Sequence, residues 1–397
     1  MRHLQLFFVL CCVAMISCQR DPMLYLHEDG KDATMDLPNI DVELQAIWNY
    51  QLEYDVTYDW KAEWKYKWDA TDVELFGKLG YTEPDAFEIR RYYTSFTPNG
   101  PHDAPYKHTI TGKYLTANYD YGYWDILAWN YIDPPDGIQS IRIDESTSYD
   151  EVTANTGETM MSAPHYSTRF SHSFYQPEEL FAGYESAIEI NKNLDGFNFD
   201  ADRNVWVKKL DMKLQPMTYI YLVQVILRHN NRNGRIITSI DGNANLSGMA
   251  RSVTLNTGVT GSDAITVNFS MRMKKDLALQ DGTKVDIIGG KVLTFGIPKV
   301  NPSRLDTRAY KESLKQVGTA DLNNRHYFDL SMQFNNGKDS TFVFDVTDQV
   351  RKLFRGGVIT IDLDMDTIPV PNRPGGSGFD AVVKDFEEKQ WEFDMLE

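Results

Sequence analysis

The sequence predicts an all-β protein built from two β-sandwich domains, and three observations carry that expectation. Apolar residues recur at every second position through many short stretches, the period at which strand side chains share a face. Gly, Asn, Asp and Pro punctuate those stretches at intervals suited to turns. Phe, Trp and Tyr make up 13% of the chain, a composition that suits pleated, half-buried surfaces. At 397 residues the chain is long for one hydrophobic core and natural for two. Residues 19–204 are assigned to the first domain and 205–397 to the second.

The start of the chain stands apart. Residues 1–18 read MRHLQLFFVLCCVAMISC: a basic start at Arg2 and His3, an apolar run over 4–16, then Ser17 and Cys18. This is a secretory signal, too short to span a bilayer as a mature helix. A Cys directly after a small residue is the bacterial lipoprotein arrangement, so Cys18 is expected to become the acylated first residue. Cys11 and Cys12 leave with the leader, so no partner remains for a disulfide. The plainer alternative is a secretory signal with an incidental Cys. More than one acyl chain, at ~0.8 kcal/mol per buried CH₂, makes a stable outer-membrane anchor and a cell-surface location.

Each element follows from local pattern. A short strand is expected over 23–27, and an alternating stretch begins near Asp41. Strands follow over 88–96, 107–115, 123–131 and 138–143, with 149–162 mostly polar. QPEELFAG at 176–183 suits a short helix, with Pro177, Glu178 and Glu179 in its first turn. DGFNFDADRN at 195–204 suits an interdomain linker. Strands resume over 205–214, 218–227, 236–240, 251–255, 264–273, 284–289, 291–296, 327–334, 341–346 and 358–365. One or two helical turns are expected over 349–355.

The net charge of −17 repels a phosphate backbone, and no Lys/Arg-rich run offsets it, which argues against nucleic acid as a partner. Catalytic spacings are missing. No HExxH occurs, and the only loosely placed histidine pair is His165 and His172. The glycines around Ser377 do not form a GxSxG elbow. Asp362, Asp364 and Asp366 alternate with Ile361, Leu363 and Met365, which reads as the wet face of a strand before it reads as a calcium loop. No catalytic residue, metal ligand or cofactor is assigned.

The stretch at 48–68, WNYQLEYDVTYDWKAEWKYKW, is apolar or aromatic at every even position. Its first half suits a buried strand face. At ~3.3 Å per residue the whole is too long for one strand. Over 58–68 two readings stay open: more buried strand, or a projecting hairpin whose Trp60, Trp64, Tyr66 and Trp68 contact a ligand or another subunit.

Several segments resemble one family. IDGNANLSGMARSVTL at 240–255, with Leu246-Ser247-Gly248-Met249-Ala250 at its centre, is joined by FDVTDQV at 344–350 and GSGFDAVVKDFEE from Gly376. Together with the leader and YGYWDILAWNY at 121–131, these resemble the fimbrillin-like lipoproteins of Bacteroidales type V pili. The likeness is strongest over 217–385, and the aromatic stretch departs from it. The resemblance implies two tandem transthyretin-like β-sandwich domains, no enzymatic activity, and partnership with other pilin subunits through strand exchange. It implies a detachable first strand, here 23–27, and protease cleavage after a basic residue; Lys31 is the only Lys or Arg between Arg20 and Lys61. A solvated loop residue is the alternative for Lys31. The segment EKQWEFDMLE at 388–397 is a candidate last strand or a tail engaging the next subunit. The expected function is a lipid-anchored pilus component or pilus-related adhesin, with a host glycan or protein as a further contact. The alternative is a carbohydrate-binding surface lipoprotein of a glycan-uptake system.

Overall fold

A computed structural model describes residues 40–48, 59–94, 97–98, 100, 102–132, 139–162, 172–191, 193–194, 196–299, 325–371 and 381–383. The fold is predominantly β. In the first half of the chain lie β1 (Ile40–Trp48), β2 (Ala86–Tyr93), β3 (Tyr106–Thr111), β4 (Tyr114–Asn118), β5 (Gly122–Asn130), β6 (Ile141–Asp144), β7 (Thr153–Thr156), β8 (Glu158–Ser162), β9 (His172–Tyr175), β10 (Phe181–Ile190) and β11 (Asn198–Asp200). The second half holds β12 (Val205–Pro216), β13 (Tyr219–Arg228), β14 (Ile237–Ala250), β15 (Ser252–Thr254), β16 (Ala264–Ser270), β17 (Arg272–Ala278), β18 (Lys284–Thr294), β19 (Tyr327–Phe334), β20 (Asp339–Asp345), β21 (Gly357–Asp364) and β22 (Ala381–Val383). Among the described residues three α-helices, α1 (Trp60–Glu63), α2 (Ala70–Phe76) and α3 (Thr347–Lys352), are short.

Pairing sorts these strands into layers. An eight-stranded sheet runs β3-β2-β5-β10-β12-β1-β4, with β11 beside β12. It folds over on itself at the two-pair contact of β10 with β12. Phe87, Ile89, Trp124, Ile126, Phe181, Met212 and Leu214 fill the space between its halves. Strand β1 lies between β12 and β4, parallel to the first and antiparallel to the second. The second sandwich faces the four-stranded sheet β17-β18-β13-β21 against the seven-stranded sheet β22-β20-β19-β14-β16-β9-β8. Its core takes Tyr221, Val223 and Val225 from one side and Leu246, Phe328 and Phe342 from the other. A small sheet, β15-β7-β6, covers the outer face of the first sandwich over Tyr92, Leu127 and Trp129.

Several sequence expectations change here. The segment 176–183 is no helix: β10 begins at Phe181, and the residues before it are brackets between elements. Ser140 and Ile141 donate backbone N–H groups to Glu178, Thr82 donates to Glu179, and Leu293 to Gln176. These tertiary acceptor roles override a local pattern that suited a first helical turn. The stretch expected as a linker is the β11–β12 hairpin, so β12 belongs to the first sandwich. Conversely β8 and β9 join the second sandwich, β9 pairing parallel to β16. Gly289 and Gly290 do not break a strand but lie inside β18. The strand expected over 236–240 runs on through LSGMA as the 14-residue β14.

That motif now has a physical reason. Gly248 sits at a bulge between β14 and β16, with φ at +84°, a conformation that favours glycine. A Cβ there would stand 2.3 Å from the carbonyl oxygen of Arg325. Gly248→Ala is therefore expected to destabilise the protein by about 2 kcal/mol or more, read as a lower urea midpoint with the slope unchanged.

Asp329, on β19, is buried and accepts a hydrogen bond from the Asn245 side chain at 3.0 Å. Burial pushes its carboxyl up from 3.8 to about 7, against the opposing pull of that hydrogen bond. The folded state thus binds the proton more tightly than the unfolded chain, so this stabilising contribution is full below pH 4 and is lost as pH rises through 7. Each pKa unit is worth about 1.4 kcal/mol. Asp329→Asn is expected to flatten the stability profile between pH 4 and 8 and to raise Tm at pH 8, measured by thermal unfolding across that range.

Candidate functional site

The aromatic stretch does not continue as a strand through 68. Asp59 accepts hydrogen bonds from the backbone N–H groups of Lys61 and Ala62 and so caps α1. Helix α2 opens with a capping box between Asp69 and Asp72 and ends at Gly77, φ +74°. Between them the chain bends at Tyr66, and Trp64, Tyr66 and Trp68 meet the same sheet face, with Trp60 joining them one helical turn earlier. The period-two pattern was real but served an irregular strap. A set of rings four apart suits a helix turn and an extended segment alike.

The strap, residues 59–81, lies across the outer face of the sheet β17-β18-β13-β21. Tyr66 and Trp68 pack over Ile226, Val285, Ile287 and Leu277, while Trp60, Leu79 and Tyr81 pack over Ile220, Leu222, Leu293 and Val358, with Trp64 touching both groups. Neighbouring rings stand about van der Waals distance apart, with Trp64 and Tyr66 centroids at 5.7 Å and Tyr66 and Trp68 at 6.1 Å. Tyr66 is fully buried. A Cβ on Gly289 would lie 2.4 Å from its ring, which explains the glycine in mid-strand.

Polar side chains set into this apolar face hold the strap's backbone. Gln224, fully buried in β13, donates to the carbonyl of Glu63 at 2.7 Å and accepts from the N–H of Lys65 at 2.8 Å. Lys291, buried in β18, donates to the carbonyl of Lys78 at 2.7 Å and faces Glu179 at 3.3 Å. Burial holds the Lys291 ammonium below its ordinary range, partly offset by Glu179. Asp72 is fully buried and accepts from the Tyr66 hydroxyl at 2.7 Å, from Arg272 at 3.0 Å and from Lys274. Burial alone would raise the Asp72 carboxyl, but the hydrogen bonds from Lys274, Tyr66 and Arg272 keep it below the ordinary value. Tyr66 is pushed well up by burial and by Asp72.

The four sequence-assigned rings are thus brought together, but as a cover: Tyr66 is enclosed, and Trp60, Trp64 and Trp68 are half-buried. Cys18 and Lys31 lie outside the described residues, as do the 23–27 strand, the 388–397 tail and His165. Asp362, Asp364 and Asp366 each have a partner: Arg228 forks onto Asp362, His229 Nδ1 lies 2.7 Å from Asp364, and Arg232 reaches Asp366. The alternating acids are thus matched by RHNNR, which begins at the last residue of β13 and continues into the turn after it. Sequence reading missed Gln224, Lys291 and Glu179. For Gln224 and Lys291, a single polar residue inside an apolar strand was the available signal.

No family model matches the chain, and no curated protein matches it. Among solved structures, it is similar to a candidate adhesin from Bacteroides ovatus ATCC 8483 at 16% identity and TM-score 0.46, over 87% of this chain and 97% of that one. It is similar to the fimbrial anchor protein Mfa2 from Porphyromonas gingivalis at 12% identity and TM-score 0.39, over 82% and 90%. A fimbrial assembly protein from Parabacteroides distasonis ATCC 8503 matches at 10% identity and TM-score 0.32, over 83% and 92%.

Tyr66→Ala is expected to cost about 3–5 kcal/mol, the range for deleting a buried aromatic ring. It should also open the strap to trypsin at Lys61, Lys65 and Lys67 under conditions where the native protein resists; equal resistance in both would contradict the cover.

Proposed function

We propose that this chain is a lipid-anchored, cell-surface component of a pilus-related adhesion system, acting by binding and assembly, with tandem transthyretin-like sandwiches joined to other subunits by strand exchange. The observation that carries this reading is the place of β1. It comes from the start of the chain, yet fills a slot between β12 and β4. Withdrawing it would leave two strand edges open, a site that another extended strand can satisfy with the same hydrogen bonds. The sequence resemblance, carried by LSGMA and FDVTDQV, supplies the class of partner. The glycan-uptake alternative drew on the strap rings as a stacking platform, and those rings are engaged with the sheet.

The register of β1 also constrains processing. A cut after Lys31 leaves residues 40–48 attached, so it trims the leader-proximal segment without emptying the slot. The first basic residue beyond β1 is Lys61, exposed on α1. Mass spectrometry of the native N-terminus is expected to show an acylated Cys18 in the membrane fraction and a start at Asp32 in sheared surface polymers. Cys18→Ala should abolish membrane association. Protein secreted freely with an unmodified Cys18 and an intact Lys31 would contradict the proposal.

A further inference from the structure

Among the described residues two arginines are buried, and they sit side by side on β2. Arg90 faces outward and has two carboxylates, Glu88 at 2.7 Å and Glu145 at 2.9 Å. Arg91 faces the inside of the first sandwich, is 5% exposed, and among the described residues has no carboxylate within 4 Å. Its Nε donates to His108 Nε2 at 3.0 Å and its Nη1 to the carbonyl of Asn118 at 2.9 Å. These bonds account for two of its five N–H donors. His108 accepts from Arg91 and so presents an unprotonated Nε2. Burial and the two neighbouring guanidinium groups hold its pKa below the ordinary value.

Rings enclose the same guanidinium. Tyr106, Tyr119 and Trp124 lie with centroids 5.1, 4.6 and 5.4 Å from it. The Tyr119 hydroxyl lies beside the Arg91 guanidinium, and among the described residues the buried Tyr121 hydroxyl has no hydrogen-bond partner. Tyr106 is 47% exposed on the edge strand β3, and Tyr114 on β4 is 68% exposed. Ring faces offset part of the cost of burying a charge, but a buried cation without a counter-ion is ordinarily expensive. In a chain with 57 acidic residues, the lack of a carboxylate beside this guanidinium among the described residues is informative.

We propose that the Arg91 end of the first sandwich binds a carboxylate-bearing sugar unit, its carboxylate on the guanidinium and its ring against the edge-strand tyrosine Tyr106. A guanidinium fork matches a planar carboxylate with two parallel hydrogen bonds, and an aromatic face suits a sugar ring. The net negative charge does not forbid this. At physiological ionic strength charges beyond ~8 Å are largely screened, whereas the guanidinium acts at contact. The site supplies the adhesive side of the function proposed above and rests on that reading only for surface location; binding itself can be measured apart from assembly.

The test is calorimetric titration of the full-length protein with glucuronate, galacturonate and N-acetylneuraminate, against glucose and acetate. At least one acidic sugar should bind saturably, with glucose and acetate at least tenfold weaker. Arg91→Lys, which keeps the charge but loses the fork, should weaken binding tenfold or more. Tyr106→Ala, at an exposed edge-strand position that does not test folding, should weaken it several-fold. Failure of all three acidic sugars to bind would overturn the proposal. So would binding indifferent to both substitutions, and acetate binding as tightly as the sugars would overturn the sugar assignment.

Discussion

The fold of the second sandwich depends on covering both faces of one strand. β13, YIYLVQVILR, is buried at every position from Tyr219 to Leu227. One side of it makes the core with the seven-stranded sheet. The other side, Ile220, Leu222 and Ile226, would face water in a simple two-layer sandwich, at a cost of about 25 cal/mol for each Å² of apolar surface left wet. Residues from the first half of the chain close that face. The strap is therefore part of the second sandwich although it precedes β2, and its rings are spent on the sheet before any ligand can use them.

Covering an apolar face with an irregular segment raises a second problem, since the segment's backbone groups need partners. Gln224, Lys291 and Asp72 answer it by side chain, and each ties sequence-distant elements. Lys291 is the widest joint: it meets the strap at Lys78 and the bracket ahead of β10 at Glu179. With β8 and β9 crossing into the second sandwich and β12 crossing into the first, the halves are interleaved. A boundary placed between Asn204 and Val205 divides the sequence at a turn, not the fold.

What the sequence made legible follows from how local each signal is. Strands with clean alternation and a turn at each end, such as 327–334, are found at their expected places. Where a distant partner decides the conformation, local pattern misleads. QPEELFAG carries a good first helical turn, but its acidic side chains accept from Thr82, Ser140 and Ile141. The sequence reading splits one strand at Gly289-Gly290, but the ring of Tyr66 occupies the place of a Cβ on Gly289. Trp60, Trp64, Tyr66 and Trp68 were legible as a set. What the set covers was not, because an aromatic row looks the same whether it meets a sheet or a sugar.

Hydroxyl-radical footprinting of the native protein, read ring by ring, tests that assignment most directly. Tyr114, at 68% the most exposed large hydrophobic among the described residues, serves as an internal reference beside Tyr66 at 0%. The account predicts that Tyr66 stays unlabelled while Tyr114 is modified freely, with Trp60, Trp64 and Trp68 in between. Labelling of Tyr66 at the rate of Tyr114 would mean the strap does not cover the sheet, and the aromatic row would again be a free surface.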